Sequence, residues 1–68
     1  MTLHSVTSSN IKQYGYEDGV LEIHFTSGGI YRYSGVPWEV VEQFRNAQSI
    51  GSFFYSAIRA QYPAEKVV

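Results

Sequence analysis

Two short turn sequences on either side of one alternating segment constrain this fold more than any other feature. Asp18-Gly19 forms the first turn and Gly28-Gly29 lies in the second, and such pairs tolerate the positive φ angles of tight hairpins. Between them, VLEIHFT at 20–26 carries an apolar residue at every second position. This period of two is typical of a strand with one buried face. Short turns at both ends require antiparallel neighbours on each side.

The predicted fold is an α+β domain: a three-stranded antiparallel β-meander followed by two helices packed on one face of the sheet. Pro37 suits the start of the first helix, and Ser49 is positioned to cap the second. Apolar residues at helical spacing continue both segments. The predicted strands and then the predicted helices lie at about 11–16, 20–26, 30–34, 37–47 and 50–62.

Length and composition predict one domain covering residues 1–68, with its core at about 8–62. A chain of 68 residues is at the small end of what folds unaided, and 16% of its residues are aromatic, so the rings are needed in the core. Residues 1–9 are expected to be a loose lead-in, with an edge strand near its end as an alternative. Residues 63–68 are expected to be a frayed tail.

The second turn decides which way Tyr31 and Tyr33 point. A three-residue loop at 27–29, with its last glycine in the left-handed region, places Phe25 opposite Tyr31. Directly opposite side chains share a face, so both tyrosines then join the apolar face beneath the helices. A two-residue loop would place Phe25 opposite Arg32 and mix charged with apolar residues on every rung. The first register is therefore favoured.

The same register predicts a polar outer face, with His24 opposite Arg32 and Glu22 opposite Ser34. Sheets that bind single-stranded RNA by ring stacking carry their aromatic residues on the open face. Inward tyrosines therefore argue against that mode of binding and favour a structural role for Tyr31 and Tyr33.

Charge and chemistry narrow the function classes. A net charge of −1 disfavours nonspecific binding to phosphate backbones. Arg32, Arg45 and Arg59 are the best candidates for phosphate contacts.

The chain contains no cysteine, and its two histidines lack the spacing of metal ligands. We see no nucleophile–base pair, so we expect neither an enzyme, nor a cofactor, nor a metal site. The absence of a membrane-spanning run or signal-peptide pattern predicts a cytoplasmic protein.

Trp38 is the other candidate interaction residue. It follows Pro37 at the predicted start of the first helix, where it packs on the sheet edge or is exposed. An exposed tryptophan would be a typical hot spot of a protein interface. A protein-interaction module, acting through Trp38 or self-associating through a sheet edge, is therefore the alternative to RNA binding.

The order of several short motifs resembles the KTSC domain. Its central Y-x-Y corresponds to Tyr31 and Tyr33, and its Val-Pro to Val36 and Pro37. Its Ser-x-Gly with the following aromatic residues corresponds to Ser49, Gly51, Phe53 and Phe54. Its closing Ile-Arg and Tyr correspond to Ile58, Arg59 and Tyr62. The resemblance covers about residues 8–62. Each motif alone is short, but their order and spacing together are specific.

The resemblance implies a small binding module. The KTSC domain occurs at the C-terminus of some lysyl-tRNA synthetases and as a stand-alone protein. The fusion to these synthetases suggests RNA or tRNA as the partner. This argument rests on the company that the domain keeps and not on a binding site, and function depends on sites more than on folds.

Overall fold

Alternating apolar side chains bring the central strands together in one antiparallel sheet. The computed structural model describes all residues, 1–68. In chain order the elements are β1 (Leu3–Ser5), β2 (Ile11–Glu17), β3 (Val20–Phe25), β4 (Ile30–Tyr33), α1 (Trp38–Arg45), α2 (Ile50–Phe53), a π-helical segment (Phe54–Arg59) and β5 (Ala64–Lys66). The sheet order is β1-β2-β3-β4-β5, with every neighbouring pair antiparallel. The α2 helix continues directly into the π-helical segment, and the two together are called the second helix below.

The α+β class and the central meander are confirmed, but the sheet has five strands and not three. The two additional strands, β1 and β5, are three residues long and lie at the two edges. The predicted frayed tail is wrong, because the Val67 N–H donates to the Ile30 carbonyl at 2.7 Å and the Ser34 N–H to the Pro63 carbonyl at 3.1 Å. These strands bury no side chain and are attached by their backbones, so they leave no apolar alternation in the sequence.

Both helices cover the same face of the sheet, which we call the helix side; the opposite face is the open side. One cluster of buried side chains fills the space between helices and sheet. Its members come from β2, β3, β4, the loop before α1 and both helices: Ile11, Tyr14, Leu21, Ile23, Tyr33, Val36, Val41, Phe44, Phe54 and Ile58. No helix of the molecule is long and apolar enough to cross a membrane.

Each helix is shorter than predicted. Pro37 has an extended backbone and precedes the first turn of α1, where its carbonyl accepts from the Val40 N–H at 3.0 Å. Ser49 caps the second helix as predicted, with its hydroxyl accepting from the Ser52 N–H at 3.3 Å. The second helix ends at Arg59, four residues before Pro63, which has no N–H to donate to the Arg59 carbonyl.

The first turn is confirmed: Asp18 and Gly19 both have positive φ, at 52° and 78°, between the paired residues Glu17 and Val20. This is the geometry of a two-residue hairpin turn whose twist matches that of its strands.

The predicted register of the second hairpin is wrong by two residues. Tyr31 pairs with Ile23, not with Phe25, the last pair is His24 with Ile30, and residues 26–29 connect the two strands. The Gly28 N–H donates to the Phe25 carbonyl at 2.9 Å, and Gly28, not Gly29, has the positive φ, at 104°. A shift of two residues keeps every side chain on its predicted face, because strand side chains alternate with a period of two. The prediction that the tyrosines face the helices is therefore correct although the pairing was not.

Candidate functional site

An aromatic groove opens on the helix side, between β3, β4 and the second helix. Its volume is about 280 Å³. Asn10 and Arg59 contribute the polar groups of its wall. The rest of the wall is made of five aromatic side chains, Phe25, Tyr31, Tyr33, Phe54 and Tyr55.

Tyr33 connects this groove to the core. Its side chain is only 3% exposed, and its ring meets Phe54 edge-on with centroids 5.4 Å apart. The Tyr33 hydroxyl forms no hydrogen bond to another protein group. It is not fully enclosed, because no fully buried side-chain polar atom lacks a partner, and Tyr33 lines the groove. Burial raises the pKa of Tyr33, an effect that the nearby charge of Arg59 partly offsets. At neutral pH the groove therefore contains a neutral phenol with a free donor.

Arg59 and Tyr55 form the rim of the aromatic groove. Both lie on the π-helical segment, and the Arg59 guanidinium carbon is 4.7 Å from the Tyr55 ring centroid. This is cation–π geometry. Tyr55 is 57% exposed, and Arg59 is the only charged residue that lines the groove. The rim thus combines an accessible stacking surface with one fixed positive charge.

A polar cleft of about 540 Å³ lies beside the aromatic groove and shares Asn10 and Tyr55 with it. Its walls are residues 7–10 and residues 48–52, most of which carry hydroxyl or amide side chains. A Cβ at Gly51 would lie 2.9 Å from Asn10 Oδ1, so any larger residue at this position would require the Asn10 side chain to move. The Ser-x-Gly motif thus brings the start of the second helix against Asn10.

The open side of the sheet carries an ion-paired cluster, the Glu22 network. Arg32 Nε donates to Glu22 Oε1 at 2.8 Å, and His24 Nε2 lies 2.6 Å from Glu22 Oε2. The two-residue register shift produces this arrangement, because it places Arg32 opposite Glu22 and not opposite His24 as predicted. Hydrogen bonds from His24 and Arg32 hold the pKa of Glu22 below its usual value, against the opposing effect of burial.

We expect the Glu22 network to make folding stability depend on pH in the acid range. A carboxyl group whose pKa is lower in the folded than in the unfolded chain stabilises the fold above its unfolded pKa, here about 4.5. That contribution is lost as the pH falls through the lower pKa of the folded state. Glu22→Gln should therefore be less stable at pH 7 and lose less stability than the wild type between pH 5 and pH 3. Urea denaturation across this pH range measures both slopes, and parallel curves would contradict the assignment.

Arg45 and Trp38 form a second cation–π pair, on α1. Trp38 is 46% exposed, yet its ring also packs against Tyr16 of β2 with centroids 5.9 Å apart, so it combines the two positions considered for it. The Arg45 guanidinium carbon lies 5.6 Å from the Trp38 ring centroid. The three candidate arginines thus have different neighbours: Glu22 for Arg32, Trp38 for Arg45 and Tyr55 for Arg59. Arg32 is on the open side, whereas the other two are on the helices, so the fold does not gather all three on one surface.

Two residues of this site were not singled out from the sequence. Tyr55 was overlooked because it falls beside the apolar stripe of its helix, although its four-residue spacing from Arg59 was visible. Asn10 lies directly before β2, and no local pattern connects it to residue 51. No group of three or more histidine, aspartate and glutamate side chains is placed to hold a metal ion.

Comparisons with known proteins agree with these motifs. The family model described as the KTSC domain matches residues 7–62. The crystal structure of a KTSC domain protein from Yersinia pestis superposes with a TM-score of 0.92 at 36% identity, covering 98% of this chain and 97% of that one.

The relatives of this chain are of two kinds, a small protein of similar length and a much longer ligase. An uncharacterized protein of Stutzerimonas stutzeri is 38% identical over 60 residues, which cover 85% of this chain and 84% of that protein. A lysine–tRNA ligase of a Nostoc species is 41% identical over 61 residues, 87% of this chain but only 11% of the ligase. Since the family match covers most of the chain and the fold superposes along its whole length, the chain belongs to the KTSC domain family.

Proposed function

We propose that this KTSC domain is a non-catalytic module that binds single-stranded RNA at the aromatic groove. The observation that carries the proposal is the exposed ring of Tyr55 with the Arg59 guanidinium packed against it, at the mouth of a groove lined by aromatic side chains. Proteins bind single-stranded nucleic acids by stacking bases on aromatic rings and guanidinium planes, with cations along the backbone.

Base stacking is compatible with tyrosines that face the helices, because the groove opens on the helix side of the sheet. Tyr33 belongs to the core, while Tyr31 is half-buried and contributes to the groove wall. The stacking surface is thus the helix side, at Tyr55, and not the open face that RNA-binding sheets of the RRM type use. Similarity to a segment of lysine–tRNA ligases adds an associational argument, since those enzymes are named for their use of tRNA.

The small number of positive charges near the groove limits the electrostatic part of the proposed RNA binding. The chain has a net charge of −1, and Arg59 is the single charged residue of the groove. Each phosphate neutralised on a single strand adds about −0.7 to the slope of log K against log salt. We therefore expect modest affinity and a shallow salt dependence, with most of the binding energy supplied by stacking.

Anisotropy titrations with fluorescein-labelled single-stranded RNA at two salt concentrations test this proposal. Tyr55→Ala should weaken binding by about 1–3 kcal/mol, the usual value of one stacked base. Arg59→Gln should reduce the salt slope by about 0.7. Arg32→Gln is the matched control, because Arg32 lies on the open side in contact with Glu22, and its loss should leave RNA affinity unchanged.

Absence of binding at micromolar protein and low salt, or equal losses from Arg32→Gln and Arg59→Gln, would reject the groove as an RNA site. The second candidate function, a protein-interaction module, would then be favoured. It rests on the exposed Trp38 with Arg45 across its ring, since tryptophan and arginine are enriched in interface hot spots.

A further inference from the structure

The polar cleft has a chemical character of its own, distinct from that of the aromatic groove. Its lining residues include no acidic and no basic side chain. It lies next to the groove, because Asn10 and Tyr55 belong to the walls of both. A ligand group attached to a base in the groove would therefore meet an uncharged polar surface.

Several polar groups of the cleft have no partner within the protein. None of the following forms a hydrogen bond to another protein group: the hydroxyls of Thr7, Ser9, Ser52 and Tyr55, the side-chain nitrogen (Nδ2) of Asn10 and the side-chain amide of Gln48. Hydroxyls both donate and accept, and side-chain amides offer one group of each kind. The cleft is therefore suited to a neutral group that itself donates and accepts, and it lacks the cations that phosphate requires.

Ribose is the part of a nucleotide that has this character. Its 2′-hydroxyl is both donor and acceptor, and it is the group by which proteins distinguish RNA from DNA. The groove lies between the sheet and the second helix, and its volume of about 280 Å³ is sufficient for a single base. A base stacked within a duplex does not present its faces to such a groove, whereas an unpaired base does. The free hydroxyl of the otherwise buried Tyr33 provides a hydrogen-bond donor within it.

We infer that the groove and the cleft together hold one unpaired ribonucleotide and select RNA over DNA. The base lies among the aromatic side chains, a phosphate lies near Arg59, and the 2′-hydroxyl of the ribose points into the cleft toward Ser9 and Ser52. This inference rests on the RNA binding proposed above and adds to it the kind of nucleic acid that the site accepts.

The test compares labelled single-stranded hexanucleotides of one sequence, as RNA and as DNA, together with the corresponding RNA duplex. The wild-type domain should bind the RNA strand about tenfold or more tighter than the DNA strand, and the duplex more weakly than the single RNA strand. The double variant Ser9→Ala, Ser52→Ala should lose about two- to tenfold in RNA affinity per hydroxyl while its DNA affinity stays unchanged.

Ser56→Ala is the matched control. Ser56 is exposed on the same helix, does not line the cleft, and its hydroxyl donates to the Ser52 carbonyl at 3.1 Å. Its replacement should leave the ratio of RNA to DNA affinity unchanged. Circular dichroism melts establish that each variant is folded before its affinities are compared.

The possible failures are distinguishable. Equal affinity for the RNA and DNA strands, or a ratio that the double variant does not alter, would overturn the inference about ribose while nucleic-acid binding at the groove stands. Tighter binding of the duplex would also overturn it. Failure to bind any of the three probes would reject both the inference and the proposed function.

Discussion

Replacing Tyr33 by alanine is expected to remove about 3–5 kcal/mol from the free energy of unfolding, as truncation of a buried aromatic side chain usually does. The side chain is 3% exposed and packs against Phe54 at the centre of the core. A domain of this size has only about 3–5 kcal/mol of stability in total. Tyr33→Ala should therefore be largely unfolded at room temperature, as urea and thermal denaturation would show.

Tyr33→Phe is the control that separates the ring from its hydroxyl. Since this hydroxyl has no hydrogen-bond partner in the protein, the variant should lose less than the roughly 1 kcal/mol of an ordinary hydrogen bond. It should nevertheless bind RNA more weakly, because the lost group opens into the groove. A Tyr33→Ala protein as stable as the wild type would show that the ring contributes nothing to the core.

Phe44→Ala should be as damaging as Tyr33→Ala. Phe44 is fully buried on α1 and meets Tyr14 of β2 edge-on, with centroids 5.5 Å apart. Its ring also lies 6.5 Å from that of Phe53, so one side chain connects the sheet, α1 and α2. We expect a loss of about 3–5 kcal/mol in the free energy of unfolding, measured by urea denaturation.

Phe44→Leu separates an effect on folding stability from an effect on RNA affinity. Leucine refills part of the space, so this variant should remain folded at a smaller cost than the alanine variant. Phe44 does not line the groove or the cleft, and folded Phe44→Leu should therefore bind RNA as the wild type does. Loss of binding in this variant while it remains folded would place the RNA site elsewhere, or would show that it depends on α1.

The local pattern of the chain was sufficient for the central part of the fold. Alternation in β3 and the glycine turns on either side predicted the meander, because side chains of a strand alternate whatever its partner. The same alternation placed Tyr31 and Tyr33 on the helix side. Ser49 was identified as a cap because that role depends on its position relative to a single neighbouring turn.

The candidate site was predicted less completely than the fold. Arg59 was named as a contact from its charge and Trp38 from its residue type, but residue types do not tell which groups meet. Only the folded chain brings Asn10 beside Gly51, and only the second helix packed on the sheet encloses the groove. Tyr55 became a candidate because its exposure and its contact with Arg59 are properties of the assembled surface.

The sequence by itself therefore determined which strand side chains face the helices. That choice depends only on whether a residue is at an odd or an even position along its strand. The tertiary structure decided the register of the second hairpin, and with it the pairing of Glu22 with Arg32, because registers two residues apart bury the same face. It also decided that β1 and β5 exist. Their stability comes from backbone hydrogen bonds to a sheet edge formed elsewhere in the chain, and such bonds require no particular side chains.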